Sequence, residues 1–154
     1  MQREEVLVAG YAVYQGRDVF RALAERMEQL PDLKVRMFLD VHRHPTDAST
    51  DAAILARFAH DFRTRQWPGV SLPEVYYDPR SLATGSGPRA CLHAKCVVVD
   101  RSTAFVSSAN FTEATQVRSI GVGVPIRSAP FATQLAEHFG GLVAQRLLNR
   151  LDLP

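Results

Sequence analysis

The chain of 154 residues is 46% hydrophobic and 22% charged and carries a net charge of +2. Its length suits one domain with a sizeable core, and its composition is that of an ordinary soluble globular protein. That charge is too small to argue nucleic-acid binding by itself, and no apolar run approaches the length of a membrane span.

Residues 1–5 lead straight into a short apolar strand rather than a signal peptide, so the expected location is cytoplasmic. From Glu5 to Tyr14 the run is continuously apolar, as in a strand covered on both faces. Gly16 to Asp18 then opens a helix in which Val19, Phe20, Leu23, Met27 and Leu30 fall at helical spacing, and Pro31 ends it. Leu33 to Leu39 is a second strand. Strand, helix, strand is the unit of a parallel sheet.

His42 and His44 form a His-x-His beside carboxylates, which invites a metal reading. The metallo-β-lactamase-like pattern HxHxDH fails here, because Thr46 and Asp47 stand where it needs its Asp and second His. No metal or cofactor is expected. A loop at the carboxyl end of a strand can still meet substrate, with Arg43 and Asp47 as candidates.

Asp51 to Phe62 reads as an amphipathic helix through Ile54, Leu55, Phe58 and Phe62, with Arg57, Arg63 and Arg65 on a solvated face. Trp67-Pro68-Gly69 terminates it, and Glu74 to Tyr77 is a short strand. Asp78 to Arg89 has no apolar period and is a loop, from which Arg80 and Arg89 are placed to reach an anionic substrate. Its Gly85-Ser86-Gly87 lacks the spacing of a phosphate loop.

Leu92 to Asp100 is an apolar, β-branched run of strand length, Thr103 to Ser107 is another, and Asp100 to Ser102 supplies the turn between them, so the pair reads as a hairpin. Side chains two apart share a strand face, which sets His93 beside Lys95, with Val97 and Val99 continuing the row. Beyond Asn110, Thr112 and Glu113 cap a short helical turn, and Arg118 to Arg127 is a strand interrupted by Gly121, Gly123 and Pro125. Pro125 argues for an edge. Ser128 to Phe131 starts a helix with Leu135, Phe139, Leu142, Val143 and Leu147 on one stripe, ending near Leu153. Cys91 and Cys96 form neither a CxxC pair nor a disulfide framework and read as buried, reduced thiols.

A neutral imidazole can attack phosphorus, and a neighbouring ammonium is a compact charge for a phosphate oxygen. Ser108 and Asn110, after the returning arm, can donate further hydrogen bonds to the same oxygens. The cation usage supports this site: only Lys34 and Lys95 are Lys among eighteen basic residues. One of the two exceptions stands beside His93, where a point charge rather than a planar fork suits the chemistry.

The spacing H-x-K-x4-D-x6-(G/S)-S-x-N resembles the HKD signature of the phospholipase D superfamily, with His93, Lys95, Asp100, Ser108 and Asn110 at its positions. Five specified positions at about one in twenty each recur by chance at a given start roughly once in three million. The resemblance implies an α/β fold over nearly all of residues 1–154, a phospholipase D-like α/β/α sandwich with a mixed sheet and helices on both faces. The wording of residues 76–81, 92–96 and 108–113 looks most like the phospholipase-D-like component of DISARM-type bacterial anti-phage defence systems.

By the same resemblance His93, Lys95, Asn110 and Ser108 are the catalytic set, Asp100 is structural, and Arg80, Arg89 and Arg43 are auxiliary substrate contacts. The implied reaction is metal-independent phosphodiester cleavage, nuclease-like, through a phosphohistidine. A single HKD implies a homodimer in which His93 and Lys95 of two protomers meet. Nucleic acid is the expected substrate, and other defence-system proteins are candidate partners.

Two departures qualify this. Small single-HKD members usually carry another strand and helix ahead of the segment that begins here at Glu5, so the chain is expected to be a fragment or to build one sheet edge otherwise. The family also places an acidic residue in the strand after the asparagine, in contact with the catalytic histidine, where this chain has Gly121. That gap keeps alive a catalytically inactive scaffold that binds nucleic acid or defence partners. The enzymatic alternative, a phosphatidyl-lipid hydrolase, lacks an interfacial helix rich in basic and aromatic residues.

Overall fold

The computed structural model describes residues 4–10, 13–109, 111–112 and 120–154. In chain order the elements are β1 (Glu5–Gly10), β2 (Val13–Tyr14), α1 (Gly16–Val19), α2 (Arg21–Gln29), β3 (Lys34–Leu39), α3 (Asp51–Asp61) and β4 (Glu74–Tyr77). There follow β5 (Cys96–Val99), β6 (Thr103–Ser107), β7 (Phe111–Thr112), β8 (Gly123–Arg127), α4 (Ala129–Ala144) and β9 (Asn149–Arg150). Seven strands form one mixed sheet in the order β8-β6-β5-β1-β3-β4-β9. The parallel centre β1, β3 and β4 is flanked by antiparallel neighbours on both sides.

The central strands read as continuous apolar runs because each feeds two cores. In β1, Val6 and Val8 face a layer with Phe20, Ala24, Met27, Ile54, Phe62 and Trp67, while Leu7 and Ala9 face a layer with Ala132, Ala136 and Phe139 of α4. The result is an α/β/α sandwich, the expected fold class. Small residues at 132 and 136 let α4 lie close on the sheet, so that the Phe139 ring sits 4.8 Å from Phe38, which stacks on Tyr76 at 5.2 Å. On the other face Trp67 is fully buried with its indole N–H donated to the Ser71 carbonyl at 2.8 Å.

Local chemistry sets the ends of these elements. Thr50 caps α3, its hydroxyl accepting the Ala53 N–H at 3.2 Å. A π-turn over Phe62–Gln66 continues the helix and closes with the Trp67 N–H on the Phe62 carbonyl at 2.8 Å, just before Pro68 stops it. Ser128 caps α4, and Pro130 occupies its first turn.

Several expectations need correction. The run from Glu5 to Tyr14 is not one strand: β1 stops at Gly10, and β2 pairs in parallel with β7 in a separate two-stranded sheet. Thr112 therefore belongs to a strand rather than a helix cap, and Glu113 lies outside the described residues. The first helix breaks at Phe20 into α1 and α2.

The hairpin ladder begins at Cys96 rather than Leu92, because Ala9 is the last β1 residue that pairs with β5. Arg118 and Ser119 are outside the described residues, and β8 begins only at Gly123; it is the sheet edge, as Pro125 indicated. The last helix ends at Ala144, not near Leu153. Arg146 takes φ 59°, and the N–H groups of Leu147 and Leu148 return to the Leu142 carbonyl at 2.9 and 3.2 Å. The chain then forms β9 against β4.

Candidate active site at the rim of the sheet

The hairpin that carries the HKD positions turns at Asp100 and Arg101, both at φ 50°, with the Ser102 N–H on the Val99 carbonyl at 3.0 Å. Asp100 is at the far end of β5 from His93. Its N–H donates to the Glu5 carbonyl, and its Oδ1 accepts the Glu5 N–H, each at 2.8 Å. The carboxylate thus pins the hairpin to the start of β1.

At the other end, Leu92, Cys96 and Val98 are buried, while His93 is exposed and Lys95 half-buried. Lys95 Nζ lies 3.2 Å from His93 Nδ1 and 3.3 Å from Nε2. A ring nitrogen's lone pair points outward in the ring plane, so an ammonium equidistant from both nitrogens lies off both lone-pair axes. Ammonium and imidazole are neighbours, and a phosphate can be shared between them. The Ser107 N–H donates to the Lys95 carbonyl at 3.0 Å, which draws the end of β6 to the same place.

Ser108 arrives there committed: its hydroxyl accepts the Val122 N–H at 3.1 Å and donates to the Val122 carbonyl at 3.3 Å. Donation to a phosphate requires exchange of that second bond. Asn110 lies outside the described residues. Gly121 is beside this loop, and a Cβ built on it would stand 3.1 Å from Ala109 Cβ and 3.7 Å from Ser108 Oγ.

Of the three auxiliary arginines, Arg43 has its guanidinium taken up within the chain. Its side chain is 4% exposed, with Nε on the Leu82 carbonyl at 2.9 Å, Nη1 on the Asp47 and Ser49 carbonyls, and Nη2 on the Asp51 carboxylate. It staples the loop after β3. Arg89 donates to the Arg43 and Gly85 carbonyls and buttresses the same staple.

Arg80 chelates Asp78, Nε to Oδ1 at 3.0 Å and Nη2 to Oδ2 at 2.8 Å, while remaining largely exposed. The Arg80 guanidinium holds the Asp78 carboxyl below its ordinary range. Asp47 is held down too, by the Ser49 side chain and N–H and then by Arg57.

The cysteines differ from expectation in one respect: Cys91 is exposed, and only Cys96 is buried, where burial pushes its thiol up to about 11. Among the described residues no three His, Cys, Asp or Glu converge as a metal site, and no helix is long and apolar enough to cross a membrane. A cleft of about 690 Å³ lies elsewhere, between α3 and the segment from Arg150 to Pro154. Neither His93 nor Lys95 lines this cleft.

One pair was missed in the sequence. Asp40, immediately after β3, has a side chain only 1% exposed. Its Oδ1 accepts the Leu92 N–H at 2.9 Å, and its Oδ2 meets His42 Nδ1 at 2.9 Å. An Asp-x-His at a strand end was the available signal.

Residues 2–143 match the family model described as cardiolipin synthase, PLD-like domain. The chain belongs to the phospholipase D-like family. It is 35% identical over 120 residues to the DISARM protein DrmC of Bacillus paralicheniformis, an alignment covering 77% of this chain and 42% of that protein. The chain thus spans less than half the length of this curated relative.

Its fold is similar to that of Nuc, a phospholipase D family member from Salmonella typhimurium, with TM-score 0.61, 17% identity, and 96% of this chain and 82% of that one covered. NucT from Helicobacter pylori is similar at TM-score 0.60 and 14% identity, covering 93% and 80%. At these identities the likeness is one of fold.

Proposed function

We propose that this phospholipase D-like chain is a metal-independent phosphodiesterase of nuclease type that works through a phosphohistidine on His93. The observation that carries the reading is the Lys95 ammonium 3.2 Å from the His93 ring at the open rim of the sheet. Neutral His93 attacks phosphorus, Lys95 balances the charge on the non-bridging oxygens, and Asn110 and Ser108 donate to them. Asp100 keeps β5 in register.

A second acid–base group must protonate the leaving oxygen and later activate water. In the family resemblance this is His93 of a second copy, so a homodimer is part of the proposal. Exposed Phe105, Val106, Val122 and Val124 along β6 and β8 support an apolar contact there. The DrmC likeness supports a role in anti-phage defence with other defence proteins as partners.

Two observations favour a second reading, an inactive scaffold that binds nucleic acid or defence partners: Gly121 supplies no carboxylate, and the Ser108 hydroxyl is engaged by Val122. The deciding experiment assays the purified protein on single-stranded DNA, duplex DNA, RNA, a phosphatidyl lipid and bis(p-nitrophenyl) phosphate, each with and without EDTA. Turnover that survives EDTA and is abolished in a folded His93→Ala protein, and nearly so in Lys95→Ala, is expected. Turnover unchanged in His93→Ala removes the assigned nucleophile, and absence of all turnover leaves the scaffold.

A further inference from the structure

We propose that His42 and Arg80, each fixed by a buried carboxylate at the sheet rim, extend the His93 site into a track for successive phosphates of one nucleic-acid strand. This rests on the phosphodiesterase reading and deepens it by naming the substrate as a chain of phosphates. The proton for the leaving oxygen stays with His93 of a second copy.

Two adjacent strands end in the same device. β3 and β4 run parallel with Phe38 opposite Tyr76, so the register carried two residues further sets Asp40 opposite Asp78. Both carboxylates are buried, and each holds a basic side chain two residues on. Asp40 Oδ2 meets His42 Nδ1 at 2.9 Å, and Asp78 takes the Arg80 guanidinium on both its oxygens. The cationic side chains themselves face water, His42 at 61% and Arg80 at 67% exposure. Holding an exposed side chain in one place costs rotamer freedom, and a surface pair returns little for it. A ligand that finds the donors already placed gains by that ordering.

Hydrogen bonds join the two devices to each other and to the HKD hairpin. Ser81, next to Arg80, donates its hydroxyl to the Val41 carbonyl, and its own carbonyl accepts the Arg43 N–H at 3.4 Å, so both neighbours of His42 are bonded to it. Asp40 Oδ1 accepts the Leu92 N–H at 2.9 Å, one residue before His93. Because β5 runs antiparallel to β1 while β3 and β4 run parallel to it, the residues preceding Cys96 and those following Leu39 and Tyr77 leave the sheet at one rim. Across the sheet the order is β5-β1-β3-β4, so three inter-strand spacings, about 15 Å, separate the His93 end of the track from the Arg80 end. The end of β3, which carries His42, falls between them.

The chemistry suits a polyanion. A guanidinium clamped through Nε and Nη2 keeps Nη1 for a phosphate oxygen. With Nδ1 on Asp40, His42 presents Nε2, and an imidazolium donates from both nitrogens, one to the carboxylate and one to a phosphate. The other carboxylates of the loop after β3 are matched already, Asp47 by Arg57 and Asp51 by Arg43. Contacts of this kind read charge along a backbone and not bases, so binding should be indifferent to sequence. A single phosphodiester fills only the His93–Lys95 end of the track, whereas a longer strand fills all of it.

The test separates binding from turnover. In a His93→Ala background, the affinities of decathymidylate and of a thymidine dinucleotide are measured by displacement of a fluorescent strand, with His42→Ala, Arg80→Ala or Arg65→Ala added. Arg65 is comparably exposed but lies beyond the far end of α3, so it controls for net charge. His42→Ala and Arg80→Ala should each cut the affinity ratio of long to short strand about fivefold at low salt. Arg80→Ala should also lower the salt slope for the long strand by about 0.7. Arg65→Ala should do neither.

Equal weakening on both lengths, equal weakening by Arg65→Ala, no weakening, or no binding of decathymidylate would each overturn the track. In the protein that retains His93, His42→Ala and Arg80→Ala should cut the kcat/KM advantage of the long strand by the same factor. If that protein turns nothing over, the phosphodiesterase reading fails, and the binding measurement still decides the track. Matched thermal unfolding checks the folding of each variant, and His42→Gln and Arg80→Gln replace any alanine variant that fails it.

Discussion

Glu5 and Asp100 are joined by two backbone-level hydrogen bonds, each 2.8 Å long, one from each residue's N–H. One ends on a side chain, so it is open to mutation. Asp100→Ala should cost about 1–2 kcal/mol of unfolding free energy, through the lost acceptor and the left-handed φ that alanine tolerates poorly. Asp100→Asn keeps both features and should cost less than half as much. Urea unfolding of the two variants checks the order; if Asp100→Ala loses activity at full stability, Asp100 meets substrate instead.

Arg43 predicts a different signature. Removing a buried guanidinium strands the Leu82 and Ser49 carbonyls that it satisfies, so Arg43→Ala should destabilise by about 2–4 kcal/mol. Arg43→Lys should not rescue it, because an ammonium cannot reproduce the planar fork. In the fraction that stays folded, KM for any phosphodiester should be near wild type. A raised KM at unchanged stability would restore Arg43 as a substrate contact.

The same residue shows where the sequence was legible and where it was not. The apolar runs of β1 and β3, Pro125 at an edge and the hairpin turn at Asp100 are local signals, and each appears in the fold. The His93–Lys95 adjacency is also local, a consequence of strand period. Arg43 looked available because spacing says nothing of the carbonyls 39 and 6 residues away that bind it. The two-residue strands β7 and β9 carry no period and exist only through their partners. Asp40 and His42 are visible as a pair in the sequence, but the bond to Leu92 spans 52 residues.

Glu5 and Asp78, two of the depressed carboxyls, shape the acid limb of stability. The Glu5 carboxyl is pushed up by burial, but hydrogen bonds and charge from Arg101 and Arg36 outweigh this and hold it below its usual value of 4.5. Asp78 is held below 3.8 by the Arg80 side chain. A carboxyl lowered in the folded state contributes stability that is present above its unfolded value and lost as pH falls through the folded one. Stability should therefore fall as pH drops below about 4. Glu5→Gln and Asp78→Asn should each flatten that limb, measured by urea unfolding between pH 2 and 6. An unchanged slope would show that neither pairing persists in solution.

The absent carboxylate gives the last prediction. An acid bonded to the far nitrogen of an attacking imidazole selects its tautomer, holds the ring and stabilises the charge left after attack. Gly121 lies next to Ser108, and its φ is outside the left-handed range, so a side chain there meets no backbone strain. The contact of its Cβ with Ala109 at 3.1 Å is tight and needs a shift of a few tenths of an ångström in the loop. Gly121→Glu should raise kcat on any phosphodiester that the wild type cleaves slowly, by about tenfold or more. A thermal melt within a few degrees of wild type is the folding control. Should the folded variant be no faster than an already competent wild type, another group orients His93. The variant should also lose its advantage when His93 is replaced, since a carboxylate acting through the ring has nothing to act on without it.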